Sequence, residues 1–187
     1  MKTPKQWETG LIGGIETGVV LIADYDPDWP DKFREHAGGI AAALGDVALR
    51  IEHIGSTSVP GLAAKAIIDI LLVVKDSANE DCYLPQLQTA GYELRVREPD
   101  WHEHRMFRTP GKDVHVHVFS AGSPEIGRHL IFRDRLRSNA DDRSLYEQTK
   151  RRLAERSWPA MDDYARAKTE VIESIIAKAL KKTRASQ

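Results

Sequence analysis

Only one cysteine, Cys82, occurs among the 187 residues, which excludes an intrachain disulfide and a cysteine-built zinc site. Long apolar runs are also missing. The stretch 70–74 falls far short of the roughly 20 residues that span a bilayer. The first 18 residues lack the apolar centre of a secretory signal. Neither sign of charge dominates: Lys and Arg number 27 against 28 Asp and Glu, for a net charge of −1. A chain that coats nucleic acid by charge alone needs a basic surplus, so bulk nucleic-acid binding and membrane association are not expected. What remains, 41% hydrophobic and 29% charged residues, suits a soluble, cytoplasmic protein long enough to bury one proper core. Oligomeric state is not legible.

The residue pattern predicts strands mixed with helices first and helices only afterwards, hence an α+β or α/β fold with a mixed sheet and a helical C-terminal part. Residues 1–18 hold four glycines and little periodicity, and are expected to form a flexible arm. A domain then spans 19–180, followed by a basic tail at 181–187. Strands are expected at 19–23, 47–54, 66–74, 92–97, 105–109 and 114–119. Phe33, Ala37, Ile40, Ala41 and Leu44 recur at helical spacing after Pro30, with Gly45 as a stop. Further helices are expected over 81–90, from Ser123-Pro124-Glu125 to about 138, over 144–157 and over 161–180.

Three features carry chemistry. Asp69 stands inside the apolar, β-branched run 66–74. A carboxylate there costs several kcal/mol unless an arginine, a loop or a metal compensates it. In 114–119, strict alternation puts His115 and His117 on one face and Val114, Val116 and Val118 on the other. Near Asp69, this pair makes a His/His/Asp donor set for a divalent metal, with Zn²⁺ or Mn²⁺ better suited than Mg²⁺; apart from it, two such histidines are ordinary solvated surface. His102 and His104 form a second close pair that equally reads as a surface loop. Gly55-Ser56-Thr57 is a small, hydroxyl-bearing turn that lets backbone N–H groups approach phosphate oxygens. Lys65, Arg105, Arg133 and Lys168 are candidate cations for such a ligand. Tyr164 and Lys168 lie one turn apart on a helical face.

The stretch from Glu52 through Gly55-Ser56-Thr57-Ser58 to Leu62, followed by Lys65 and Ile67-Ile68-Asp69-Ile70, resembles the GrpB-like family of the nucleotidyltransferase-like superfamily. Tyr25-Asp26-Pro27 with Trp29, His104-Arg105, His115 to Phe119, Gly122-Ser123-Pro124-Glu125 and Phe132-Arg133-Asp134 extend the resemblance over about 19–176. It implies a nucleotidyltransferase-like fold whose Gly-Ser turn holds phosphates and whose next strand holds metal. A C-terminal helix would face the nucleotide through Tyr164 and Lys168. The expected function is transfer of a nucleotidyl or phosphoryl group to a small molecule with a divalent metal (Zn, Mn or Mg). In this scheme Asp69, His117 and Arg105 are catalytic, Asp69, His115 and His117 bind metal, and Gly55, Ser56, Thr57, Lys65, Tyr164 and Lys168 bind phosphate or nucleotide. The superfamily's second strand acid is replaced here by Leu71. That departure keeps two alternatives open: a nucleotide- or phosphate-binding module without turnover, and a metal-dependent hydrolase using the His/His/Asp set.

Overall fold

The computed structural model describes residues 10–185, with side chains described through residue 181. Helix α1 (Trp29–Leu44) begins with proline in its first turn and ends at Gly45, whose φ is +52°. Gly38 and Gly39 lie on its exposed side, so they cost propensity and no packing. Strand β1 (Arg50–Ile54) leads through the single 3₁₀ turn Ser56–Ser58 to β2 (Ile68–Val74). The short α2 (Leu84–Thr89), β3 (Glu93–Glu98), β4 (His104–Arg108) and β5 (Val114–Ser120) follow. Four helices close the chain: α3 (Pro124–Ser138), α4 (Ala140–Ala154), α5 (Met161–Ala167) and α6 (Thr169–Ala185).

The five strands form one mixed sheet in the order β1-β2-β5-β4-β3. Only β2 and β5 run parallel; the other neighbours are antiparallel. Period-2 alternation divides the sheet cleanly. Ile68, Ile70, Leu72, Val114, Val116 and Val118 pack on Trp29, Ile40 and Leu44 of α1 and on Tyr83 and Leu87. On the other face, Leu71, Val73 and Phe119 are covered by Ile126 and Leu130 of α3. The first halves of β2 and β5 on that face are left for polar residues.

The expected architecture is found, with local differences. Residues 19–23 form no strand; Ala23 makes only a bridge to Ala64, with N–H···O distances of 2.8 and 2.9 Å. Helix α4 starts four residues before the expected 144. Asn139 accepts a hydrogen bond from the Asp142 N–H at 2.8 Å, an N-cap that hydrophobic periodicity does not reveal. The expected helix 161–180 is interrupted at Lys168 and then runs on through Ala185. Residues 1–9 of the expected arm lie outside the described residues. In 10–18, the Ile12 N–H bonds to the Arg95 carbonyl and the Arg97 N–H to the Gly10 carbonyl, each at 2.8 Å, so this segment lies along the outer edge of β3.

Candidate metal and phosphate site

The parallel register sets Asp69 opposite His115 and Leu71 opposite His117. One Asp69 oxygen, Oδ1, lies 3.6 Å from His115 Nδ1 and 3.7 Å from His117 Nε2. One donor atom from each of the three residues falls within 4.8 Å of the others. Tetrahedral coordination with bonds of about 2.1 Å separates donors by about 3.4 Å, so small side-chain movements fit this set to a cation. Burial pushes the Asp69 pKa up, and the two imidazoles more than reverse this, holding the carboxyl well below the usual carboxylate range. The expected convergence of these three side chains on one face is therefore met.

Behind His117 stands a second imidazole. His104 Nε2 is 3.1 Å from His117 Nδ1, and His104 Nδ1 is 2.7 Å from Glu98 Oε2. The His104 and Glu98 side chains are each only 5% exposed. Partners assign the tautomers. A neutral His104 that donates from Nδ1 to Glu98 accepts at Nε2, so His117 donates from Nδ1. Nε2 is then the His117 atom turned to Asp69, and in the neutral ring its lone pair is what a metal ligand requires. Of the pair left undecided by the sequence, His104 thus joins the site. His102 does not; its Nε2 lies 3.9 Å from Glu125 Oε1.

Gly55 makes the close approach of the turn to β2 possible. A Cβ placed on it would lie 2.2 Å from Asp69 Oδ2, and its φ is +68°. Ser56 faces a cleft of about 560 Å³ that also includes Asp69, His115 and His117. Thr57 is different from expectation. It is buried, it donates to the Ile67 carbonyl at 3.0 Å, and its oxygen lies 3.1 Å from His53 Nε2. Its hydroxyl is engaged in holding the turn and does not reach the cleft. Burial also pushes the His53 pKa down to about 4.

The cleft is cationic. Lys65, Lys150 and Lys168 line it together with Arg108 and Lys112. Arg108 and Lys112 both pair with Glu16, at 2.6 and 2.8 Å. Among the described residues, no carboxylate lies within ion-pair distance of Lys65, Lys150 or Lys168. Burial lowers the pKa of Lys65, and Lys168 adds to the effect. Burial likewise lowers that of Lys168, against the pull of Asp69. Lys168 lies 4.7 Å from the centre of the Tyr164 ring. Tyr164 lines the cleft as well, and its buried hydroxyl has no hydrogen-bond partner among the described residues. Three crowded, partly desolvated lysines and an unanswered phenol suit an anionic ligand.

Two of the four candidate cations, Arg105 and Arg133, do not line the cleft. The cross-strand partner of Arg105 is Val118, whereas Met106 stands opposite His117 and Arg108 opposite His115. Arg105 therefore points to the other face of the sheet. There its Nε donates to Glu80 Oε1 at 2.6 Å, and Nη1 lies 3.4 Å from Glu103 Oε2. Arg133 is also engaged elsewhere, with Glu52 at 2.7 Å. Lys150 is the corresponding omission. It sits on α4, donates to the Ala63 carbonyl and stands 4.8 Å from the Tyr146 ring centre.

Burial, with Lys168 nearby, pushes the Lys150 pKa down to about 7 from an ordinary 10.5. Between these values the unfolded chain binds more protons than the native one, so stability rises with pH. Wild-type protein should gain about 1–2 kcal/mol relative to Lys150→Met between pH 7 and 9, measured by denaturant unfolding. A difference that stays flat across that interval would contradict the buried ammonium.

The family model described as GrpB protein matches residues 19–178. A UPF0157 protein of Halalkalibacterium halodurans is 52% identical over 180 residues, covering 95% of this chain and 92% of that protein. Another, from Streptomyces coelicolor, is 51% identical over 169 residues, covering 90% and 89%. The crystal structure of the conserved protein GrpB from Enterococcus faecalis superposes with a TM-score of 0.78 at 37% identity, over 87% of this chain and 99% of that one. With a family model that matches residues 19–178, all five strands among them, the chain belongs to the GrpB family.

Proposed function

We propose that this protein transfers a nucleotidyl or phosphoryl group from a polyphosphate-bearing small molecule, using one divalent cation held by Asp69, His115 and His117. The observation that carries this reading is the placement of the three-donor cluster on the wall of a cleft that also holds Lys65, Lys150 and Lys168. A bound cation supplies Lewis-acid polarisation of a phosphoryl oxygen. The chain's own residues supply the rest. The lysines hold the anionic oxygens, the Tyr164 hydroxyl is available to donate a hydrogen bond, and the fixed sheet holds the reacting groups in place. Imidazole donors favour Zn²⁺ or Mn²⁺ over Mg²⁺.

One observation favours the second reading, a binding module without turnover. Leu71 is fully buried against Ile54 and Phe119 and offers no second strand carboxylate. Mn²⁺ and Zn²⁺ titrations on wild type, Asp69→Ala and His117→Ala, each followed by a nucleotide-turnover screen, separate the cases. Metal binding lost in both variants together with metal-dependent product in wild type supports transfer. Metal and nucleotide binding without product supports the module, and cleavage that uses only water as acceptor supports a hydrolase. Metal content unaffected by both substitutions would sink the site altogether.

A further inference from the structure

A second cavity, of about 190 Å³, shares Asp69 and His117 with the cationic cleft but lies on their α3 and α6 side. The two residues are thus a common wall between two cavities of opposite character. Ile54, Phe132, Tyr146, Ile172 and Ile176 make the second one largely apolar. Its charges are already answered. Arg128 pairs with Glu125 at 2.9 Å and with both oxygens of Glu173, at 3.0 and 2.6 Å. Besides the Tyr146 phenol, the other ionisable groups on its lining are the Asp69 carboxylate and the imidazoles of His117 and His129, so the metal-free wall offers an anionic ligand no guanidinium or ammonium, and desolvating a ligand charge without a partner is costly. A cavity of roughly 150 Å³ holds one benzene, so this one suits a single six-membered ring with a small substituent.

We infer that this cavity binds a small, neutral, ring-bearing alcohol, with its hydroxyl toward Asp69 and His117, as the acceptor of the transferred group. The acceptor role rests on the transfer chemistry proposed above, whereas the binding itself does not. In the transfer, the alcohol oxygen forms the new P–O bond while the P–O bond to the leaving phosphate breaks. The electron pair of the broken bond goes to the leaving oxygen, and the alcohol proton ends on the leaving phosphate. Approach from the apolar side, with the donor phosphates among the lysines, places nucleophile and leaving group on different sides of the transferred phosphorus, the in-line arrangement that such transfer needs.

The test uses the full chain and benzyl alcohol as probe, followed by calorimetry and saturation-transfer NMR. Benzyl alcohol should bind the metal-free protein, and benzoate, the same ring with a charge, should bind it at least tenfold more weakly. Ile172→Trp fills the cavity and should weaken benzyl alcohol at least tenfold while leaving Mn²⁺ affinity unchanged; Phe132→Trp serves if that variant does not fold. Inorganic pyrophosphate, which belongs to the lysine cleft, should not displace the alcohol. Benzoate binding as well as the alcohol, displacement by pyrophosphate, no measurable alcohol binding, or indifference to a folded filling variant would each overturn the inference. The proposed function fails separately, through lost metal or pyrophosphate binding with the alcohol site intact.

Discussion

Gly55→Ala should abolish divalent-metal binding, with a loss of affinity of 100-fold or more. The added methyl would sit 2.2 Å from Asp69 Oδ2, 2.8 Å from its Cβ and 2.9 Å from its Cγ. Contacts under 3.0 Å do not persist, so either β2 or the turn must shift, and Asp69 leaves the position 3.6 and 3.7 Å from the histidines. The backbone adds a second cost, because φ +68° with ψ −171° is a conformation nearly confined to glycine and costs other residues about 1–3 kcal/mol. Gly61 provides the control. Its φ is +75°, yet nothing lies within 4 Å of the Cβ it would gain. Gly61→Ala should therefore lose stability by a similar amount and keep its metal. Calorimetric Mn²⁺ titration of both variants, with thermal melts alongside, reads the difference. Equal metal affinity in the two variants would show that the contact with Asp69 does not organise the site.

The second large effect concerns a residue that touches no ligand. His104→Leu should weaken metal binding about 10- to 100-fold, the usual cost of removing a partner that orients a ligating histidine. His104 accepts from His117 Nδ1 at 3.1 Å and is itself held by Glu98 at 2.7 Å. Without it, His117 is released to the tautomer that carries its proton on Nε2, where the metal would bind. Glu98→Gln should cost less, because its amide oxygen still accepts from His104 Nδ1 and preserves the order of donors. The graded pair matters, since leaving the buried Glu98 carboxylate without its His104 hydrogen-bond donor also costs about 1–3 kcal/mol of stability. The absorption spectrum of a Co²⁺ derivative separates a changed ligand field from a merely loosened fold. An unaltered Co²⁺ spectrum and affinity in folded His104→Leu would remove His104 from the site.

Much of the site could be read in one dimension because strand parity is a local property. Alternation in 114–119 puts His115 and His117 on one face whatever lies beside them, and Asp69 in an apolar run needs partners wherever the strand goes. The helix starts at Pro30 and Pro124 and the stop at Gly45 are equally local, since they depend on φ and on a missing N–H. The Gly-Ser-Thr turn also stands where its composition places it, between β1 and β2.

The remainder depended on which strand lies beside which. The register of β4 on β5 turns Arg105 away and His104 and Arg108 toward the histidines, and no property of β4 alone distinguishes these outcomes. Thr57 has the right hydroxyl, but tertiary packing against His53 and the Ile67 carbonyl uses it internally. Lys150 reads as one more surface lysine on a polar helix until α4 packs on the segment 59–63 that follows the 3₁₀ turn and buries it beside Tyr146. Glu98 enters only because the β3–β4 hairpin sets it opposite His104. Sequence alone determined the residue types, their local faces and the ends of several helices, because these follow from backbone geometry within a few residues. Tertiary structure alone decided which polar groups meet and which are already engaged, because pairing register, burial and hydrogen-bond satisfaction are properties of segments brought together from distant parts of the chain.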